Sequence, residues 1–538
     1  MFDFSGKLAT CIVTACLFYV ATFKSLGALQ QLGYRNKSFL AWLKRKENLY
    51  FNRLTIWSVL SFLVGALLSV GVSLLGKEVS LIAFVSSCFL FSILFWIADK
   101  KHALKVPIKV TNRLQRLAIS YIFVTAIAVY LLLCALGEVE QLVGSEIYSL
   151  FAISPLAFAP TLTPMFLMIG NSLLSTFEKI NNKRLIEKAK RTLERSKAVR
   201  IGVVGSYGKT SVKNVLASIL SSRYSVVATP ESYNTPIGIA KTVNSLALQN
   251  VEIFIAEMGA RKVGDITELC ELVKPDYAIF TGVCRQHMAT FEREENVLKA
   301  KCEIIKGAKN TIICGAELKA KISTCPTLTG EERAKCVYLD KQQILDLELN
   351  ATSTEFSLTV GQESIKAHTT LLGEGNAENI ALAILLAYEL GMTKEEIELG
   401  LKNVEPIPHR LELIQANGVY ILDDAYNCSE RSAKESVKAL KRFHGKHFIV
   451  TPGIIEGGAQ EKELNENLGK LLAESGIERI MLVKSGVSRS IKKGYFDAGG
   501  DEGKIVEYCS LEVVKDVLKS ELQTGDAVLF MNDLPDVC

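Results

Sequence analysis

Three observations along this 538-residue chain predict an α-helical membrane region followed by α/β structure. Long apolar stretches are confined to the first third, strand-like and helix-like runs alternate after residue 200, and a glycine-rich turn joins the first strand-like run to the first helix-like one. The alternation predicts a P-loop doubly wound central domain over 200–405 and a smaller Rossmann-like α/β C-terminal domain over 406–538. Pro406 and Pro408 mark the boundary between them.

The membrane region is expected over 1–176, with about five transmembrane helices drawn from the apolar stretches Leu8 to Phe23, Leu54 to Leu75, Val79 to Ala98, Leu117 to Leu136 and Ile147 to about Ser175. Three of these reach the roughly 20 residues that span a bilayer as helix. The first is short, and the fifth is broken by Pro155, Pro160 and Pro164. Residues 24–53 carry seven Lys/Arg and 99–116 carry six, against one in 76–78 and none in 137–146. Basic loops stay on the cytoplasmic side, so the N-terminus is expected outside and everything after residue 175 inside, as a multi-pass protein of the cell membrane with both α/β domains cytoplasmic.

Residues 178–200 hold nine Lys/Arg and three Glu, with Ile180, Leu185, Ile186, Ala189 and Leu193 near one helical face. Residues 177–199 therefore read either as a basic helix on anionic membrane lipid or as a solvated charged linker. Elsewhere the net charge of +5 is small for the length, and no basic stripe interleaves with aromatics, so no nucleic-acid partner is expected. The thirteen cysteines lack C-x-x-C pairing, which argues against a zinc site or a disulfide framework.

In the central domain the order is a strand at Ile201 to Val204, a helix to Leu220, a strand at Ser225 to Ala228, and a helix near Ile239 to Leu248. Strand Val251 to Glu257, a helix near Asp265 to Leu272, and strand Tyr277 to Thr281 follow. Residues 310–370 lose helical periodicity and gain short alternating runs such as Thr354 to Val360, which predicts a β insertion before a helix at Ala377 to Leu390. Strands at Val419 to Leu422, Phe448 to Val450, Arg479 to Val483 and Ala527 to Phe530 build the C-terminal domain.

The turn itself reads Gly205-Ser206-Tyr207-Gly208-Lys209-Thr210-Ser211. Glycines let backbone N–H groups approach phosphate oxygens, the following helix presents its positive end, a lysine neutralises the β/γ-phosphates, and a threonine hydroxyl ligates magnesium. The strict pattern would place glycine where Val203 stands.

Further motifs occur in order: YNTPIG at 233–238, AEMGA at 256–260, KPDYAIFTGV at 274–283, His287, AKCEI at 300–304, GEGNAENI at 373–380, HRLE at 409–412, DDAYN at 423–427 and TPGIIEGG at 451–458. Together with the glycine-rich turn they resemble the Mur ligase family of ATP-dependent amide-bond-forming enzymes, most of all its MurF type, over about residues 200 to 538. The resemblance implies ATP and two Mg2+ ions. It also implies activation of a carboxylate as an acyl phosphate, and capture of that acyl group by the amine of an amino acid or dipeptide. The expected partner is a UDP- or lipid-linked muramyl peptide.

Carried over residue by residue, the resemblance makes Lys209, His287 and Lys301 catalytic and Thr210, Glu257, His287 and Lys301 the metal side, with Lys301 in the place of the family's carbamylated lysine. It puts Asn376 and Asn379 at the adenine, Arg410 at the phosphates and Asp424 at the ribose. Asn234, Thr235, Tyr426 and Asn427 fall at the substrate. Departures cluster on that substrate side: Asn234-Thr235 stands for an Asn-Asn pair, Cys428-Ser429-Glu430 replaces Ala-Asn-Pro, and Met531-Asn532-Asp533 replaces Lys-Gly-Ser, while at the adenine contact Gly375 replaces a histidine. The N-terminal membrane region stands where family members carry a UDP-binding domain. Three readings compete with the leading one: a polyglutamate-type carboxylate–amine ligase, a transporter energised by a fused ATPase, and an inert nucleotide-binding scaffold.

Overall fold

The computed structural model describes residues 23–44, 50–71, 110–143, 146–246, 250–284, 288–291, 293–426, 428–455 and 460–532, with isolated positions between 86 and 108. Two compact units emerge, one of residues 1–181 with 536–538 and one of 182–535.

In the first unit, helices Phe23–Gln31, Asn36–Leu43, Tyr50–Gly71 and Asn112–Val143 accompany the start of a 50-residue helix, Glu146–Arg195. Leu26, Leu29, Phe39, Leu117, Tyr121 and Leu167 form its core. Polar groups pin the helices together: Asn171 Nδ2 donates to Asn36 Oδ1 at 2.7 Å, and Arg116 Nε donates to Glu178 Oε1 at 2.8 Å. The prolines expected to break the fifth apolar stretch do not. The helix runs through all three, because each proline removes one ladder hydrogen bond while the flanking turns keep theirs. Among the described residues one segment, Asn112–Leu131, is long and apolar enough to cross a membrane, and Arg53–Leu68 is a shorter apolar helix. The stretch Leu8 to Phe23, save its last residue, and most of Val79 to Ala98 lie outside the described residues.

The second unit opens with the end of that long helix. Ile186, Ala189 and Leu193 pack with Ile239, Val243, Leu269 and Val273. Asn244 Nδ2 donates to the Leu185 carbonyl at 2.9 Å, and Lys274 pairs with Glu194 at 2.8 Å. The part of the apolar face formed by Ile186, Ala189 and Leu193, assigned to lipid or to a solvated linker, is thus covered by the chain's own helices, while Ile180 is exposed. Its charges remain outside, as amphipathic packing requires.

The central sheet comprises β1 (Val199–Val204), β2 (Val226–Ala228), β3 (Ile253–Glu257), β4 (Tyr277–Phe280), β5 (Ile312–Cys314) and β6 (Cys336–Tyr338). Their spatial order is β2-β3-β1-β4-β5-β6, and every pairing is parallel. Helices Pro236–Ser245, Asp265–Val273 and Glu294–Gly307 cover one face. Lys209–Leu220, Glu374–Glu389 and Lys394–Lys402 cover the other. Strands buried on both faces read as continuous apolar runs, which is why β3 is Ile-Phe-Ile-Ala before its terminal glutamate. The β insertion is narrower than expected. Residues 312–338 extend the parallel sheet, and only β7 (Ile344–Leu349), β8 (Thr354–Val360) and β9 (Glu363–Thr369) form a separate antiparallel sheet.

The C-terminal sheet is mixed. It comprises β10 (Glu412–Ala416), β11 (Val419–Asp424), β12 (His447–Thr451), β13 (Arg479–Val483), β14 (Ile505–Tyr508) and β15 (Ala527–Met531), in the order β10-β11-β15-β12-β13-β14. All pairings are parallel except β10 with β11. That hairpin turns at Asn417 (φ 52°) and Gly418 (φ 79°), the left-handed pair that a two-residue turn needs. The Asn-Gly dipeptide announces this turn in the sequence, although β10 is absent from the strands expected there.

Candidate functional site

β1 lies between β3 and β4, so successive connections leave it in opposite directions and open a crevice at the strands' carboxyl ends. The glycine-rich turn sits there. Gly208 adopts φ 73° as the residue before helix Lys209–Leu220, and a Cβ on it would collide with the Asn379 amide. A Cβ on Gly205 would collide with the Thr281 hydroxyl. Close packing therefore calls for glycine at both positions, and at Gly208 the backbone conformation does so as well.

Two lysines converge on this turn. Lys209 Nζ and Lys301 Nζ each donate to the Gly205 carbonyl at 2.9 Å. Lys301 comes from helix Glu294–Gly307 on the opposite face of the sheet and is 4% exposed. Burial, reinforced by the Lys209 charge, drives its pKa down to about 7. Burial also lowers Lys209, against the attraction of Glu257.

Glu257 ends β3 and is 1% exposed. The Thr210 hydroxyl donates to its Oε2 at 2.9 Å, and Asn234 Nδ2 donates to its Oε1 at 3.0 Å. Lys213 Nζ stands 3.5 Å from Oε2 and also donates to the Glu231 carbonyl, at a residue with φ 43°. Lys213 is one helical turn beyond Lys209 and 1% exposed, yet it is missing from the residues expected at the site. Its signal was a charge on the apolar stripe Val212, Val215, Leu216, Ile219.

The fit of Mg2+ can be tested on this pair. Octahedral Mg2+ with bonds of about 2.0–2.1 Å puts neighbouring oxygen ligands about 2.9 Å apart. Thr210 Oγ1 and Glu257 Oε2 have that separation of 2.9 Å. The described residues contain no cluster of three or more His, Cys, Asp or Glu able to hold a metal unaided.

The C-terminal domain contributes Arg410, whose guanidinium lies 3.9 Å from the Tyr426 ring centroid. Burial lowers its pKa, and its charge is felt by both Lys209 and Lys213. The neighbours His409 (φ 61°) and Leu411 (φ 53°) hold strained backbone, a cost tolerated where a side chain must be aimed. Tyr426 reaches the central domain through a hydroxyl–hydroxyl bond to Ser232.

Other sites implied by the resemblance are placed differently. Asp424 does not face outward toward a ribose: its oxygens accept from Ser436 Oγ at 2.5 Å and Leu411 N at 3.2 Å, which braces the loop carrying Arg410. Burial raises its pKa to about 6. Thr235 caps helix Pro236–Ser245 by accepting from Gly238 N at 3.3 Å, and Asn234 donates to Glu257. Asn376 Nδ2 donates to the Leu372 carbonyl at 2.9 Å, while Asn379 packs on the turn at Gly208. Ser206 and Ser211 are buried in the turn and the helix start. His287 and Asn427 lie outside the described residues.

Residues 203–387 match the Mur ligase middle domain. The chain is 29% identical over 342 residues to the UDP-N-acetylmuramoyl-tripeptide–D-alanyl-D-alanine ligase of Bacillus subtilis, covering 61% of this chain and 72% of that protein. The Escherichia coli ligase of the same name is 26% identical over 343 residues, covering 62% and 75%. Among solved structures, the MurF ligase of Thermotoga maritima in complex with ADP superposes with TM-score 0.58 at 26% identity, covering 66% of this chain and 81% of that one. MurF from Acinetobacter baumannii shares the fold at TM-score 0.57 and 22% identity, covering 65% and 77%. The order of the motifs along the chain agrees with these likenesses: the chain carries a Mur ligase middle domain over 203–387 and is an ATP-dependent ligase similar to the MurF enzymes.

Proposed function

We propose that this ligase joins an amino acid or dipeptide to a carboxylate of a cell-wall precursor through an acyl phosphate, at the cytoplasmic face of a membrane in which its N-terminal helices are anchored. The observation that carries the reading is the convergence of Lys209, Lys301, Thr210 and Glu257 on one phosphate-binding turn.

In the first step a carboxylate oxygen attacks the γ-phosphorus of ATP, and the bond to the departing ADP breaks. Two polyanions must meet, so neutralising charge in a water-poor site is the main requirement. Lys209 is placed to meet it from the central domain, Arg410 from the C-terminal one, and the N–H groups at the start of helix Lys209–Leu220 add fixed positive ends. In the second step the amine nitrogen attacks the acyl carbon, the bond to phosphate breaks, and the amine gives up a proton. Thr210 and Glu257 would hold Mg2+, which supplies charge neutralisation at the β/γ-phosphates when bound. Lys213 and Asn234 keep the Glu257 carboxylate oriented for it.

Lys301 has the chemistry its place in the family demands. An amine with pKa near 7 is substantially neutral at physiological pH, and the neutral amine is the form that adds to CO2, losing a proton to leave a carbamate. Such a carbamate is the expected ligand, with His287, of a second Mg2+.

Membrane anchoring is supported by large apolar side chains that the first unit leaves uncovered, among them Leu67 (74% exposed), Phe123 (64%) and Leu173 (61%). The relatives' names point to a UDP-linked muramoyl tripeptide as acceptor and D-alanyl-D-alanine as the amine. A lipid-linked acceptor fits a membrane anchor equally well. The test is ADP release by the purified full-length protein against UDP-muramyl peptides, lipid-linked muramyl peptides, and free amino acids or D-alanyl-D-alanine. Stimulation by a muramyl peptide together with an amine identifies both substrates. A glutamylated acceptor with glutamate is run beside them, and stimulation by that pair alone would overturn the cell-wall reading.

A further inference from the structure

In the first unit, helix Asn112–Val143 starts at Thr111, whose hydroxyl accepts from Leu114 N at 3.2 Å, and Arg113 stands in its first turn. A cation at that end opposes the helix dipole. One turn further on, Arg116 is neutralised by Glu178. Arg113 has no such partner among the described residues. Residues 23–44 and 110–136 contain no Asp or Glu, and Glu178 is the one acid in 147–181. The half-buried Arg113 guanidinium stacks with its carbon 4.1 Å from the Tyr34 ring centroid, and its Nε finds no acceptor among the described residues. An aromatic face attracts a cation without neutralising it, so the hydrogen-bonding fork remains unanswered by the protein.

The turn at Tyr34 joins this arginine to helix Glu146–Arg195. Asn171 Nδ2 donates to the Tyr34 carbonyl at 2.9 Å, and Asn36 Nδ2 donates to the Met168 carbonyl at 3.0 Å and to Ser172 Oγ at 2.9 Å. Beside these contacts the long helix presents a groove of about 590 Å³, walled by Met165, Met168, Ile169 and Leu173 with the hydroxyls of Ser172 and Thr176. From Met165 to Thr176 a helix rises about 16 Å. That is close to the roughly 15 Å of hydrocarbon in one leaflet. A soluble anion would answer Arg113 and leave the groove bare, whereas an apolar helix would fill the groove and leave the arginine unpaired. A lipid with an anionic headgroup does both.

We propose that the turn at Tyr34–Asn36 and Arg113 seat the headgroup of an anionic phospholipid, its phosphate paired with the Arg113 guanidinium and one acyl chain lying along the groove at 165–176. The planar fork of arginine matches two phosphate oxygens, and such charge-assisted pairs are the strong ones. The exposed cations Arg35 and Lys37 flank the same turn and add attraction of the same sign. The site lies outside the phosphate cradle and is independent of the ligase chemistry. It rests only on the reading of the first unit as membrane-anchored.

Native mass spectrometry of the full-length protein, purified in a neutral detergent, reads retained lipid directly. With dioleoylphosphatidylglycerol and dioleoylphosphatidylcholine offered together, the wild type should retain the anionic lipid over the zwitterionic one by about tenfold. Arg113→Gln should abolish that preference. Arg113→Lys should keep part of it, because the charge stays and the fork is lost. Leu173→Asn in the groove should lower retention of both lipids, and Lys183→Gln, a surface cation beyond the groove, should change neither. Equal retention of the two lipids by the wild type would overturn the seat, as would an undiminished preference in Arg113→Gln. An equal loss in Lys183→Gln would also overturn it, by showing diffuse attraction, and so would displacement of the lipid by inorganic phosphate, which marks a free-anion site. If Arg113→Gln does not fold, an undiminished preference in Arg113→Lys overturns the proposal in its place. Release of wild-type protein from membranes by an alkaline wash would strike the membrane reading alone, because lipid retention is measured in detergent.

Discussion

The phosphate cradle and the N-terminal helices are both rich in apolar residues, and they dispose of them in opposite ways. Around β1 the large apolar side chains of the cradle are covered: Ile201, Val203, Val204, Val212 and Ile255 are each 0% exposed. On helices Tyr50–Gly71 and Asn112–Val143, Leu63, Leu67, Ile119, Phe123 and Leu131 face outward. In the cradle this coverage forces polar groups to satisfy one another, so Lys209, Lys301, Thr210 and Glu257 have few alternatives to the partners they take. The outward-facing helices impose no such constraint on their neighbours. Burial, rather than hydrophobicity as such, is what gives a site its geometry.

The largest effect expected is in the cradle. Lys209→Ala should lower ATP-dependent phosphate release by more than about 10³-fold, because a fixed charge at the phosphates is lost from a low-dielectric site. Steady-state phosphate release checks it, and near-normal turnover would separate the cradle from the chemistry. Lys301→Ala should cost about 10²–10³-fold and be partly rescued by short carboxylic acids that mimic a carbamate. The same lysine predicts a pH dependence. Its neutral form is lost below a pKa of about 7, so carbamate formation, and activity at limiting bicarbonate, should fall as pH drops from 8 to 6. A flat profile in bicarbonate-depleted buffer would argue against the carbamate.

Lys213→Met tests whether coverage alone suffices. It leaves Glu257 buried without its ion-pair partner and should destabilise the catalytic unit by about 3–4 kcal/mol. Adding Glu257→Gln should recover part of that loss in a thermal melt, whereas additive losses would mean that the two side chains do not act as a pair. The smallest effect sharpens the other half of the comparison. Leu63→Arg on an outward face should cost about 2.5–3.5 kcal/mol of membrane insertion and lower recovery in an alkali-washed membrane fraction, with ADP release per molecule unchanged. Wild-type protein released by the same wash would show that these faces are not lipid-facing.

Much of the catalytic half was legible because its signals are short-ranged. The alternation of strands and helices, the turn at 205–211 and the glutamate ending β3 depend on neighbours within a few residues, and each lies where its local pattern put it. The Asn417-Gly418 hairpin was equally local and was overlooked. The prolines of the long helix illustrate the reverse, since a breaker's local cost was overridden by the turns on either side.

By itself the sequence determined the alternation of strands and helices, the phosphate turn and the likeness to Mur ligases. Tertiary structure alone decided which surfaces meet. The face of residues 186–193 is covered by helices of the central domain, Asp424 braces a loop, Lys213 serves Glu257, and Arg431 reaches a tyrosine 224 positions away. Periodicity says that a helix has an apolar face, and charge says that a side chain needs a partner. Neither names the partner, because the free energy of burial depends on what folding brings alongside, and that is set by the path of the whole chain.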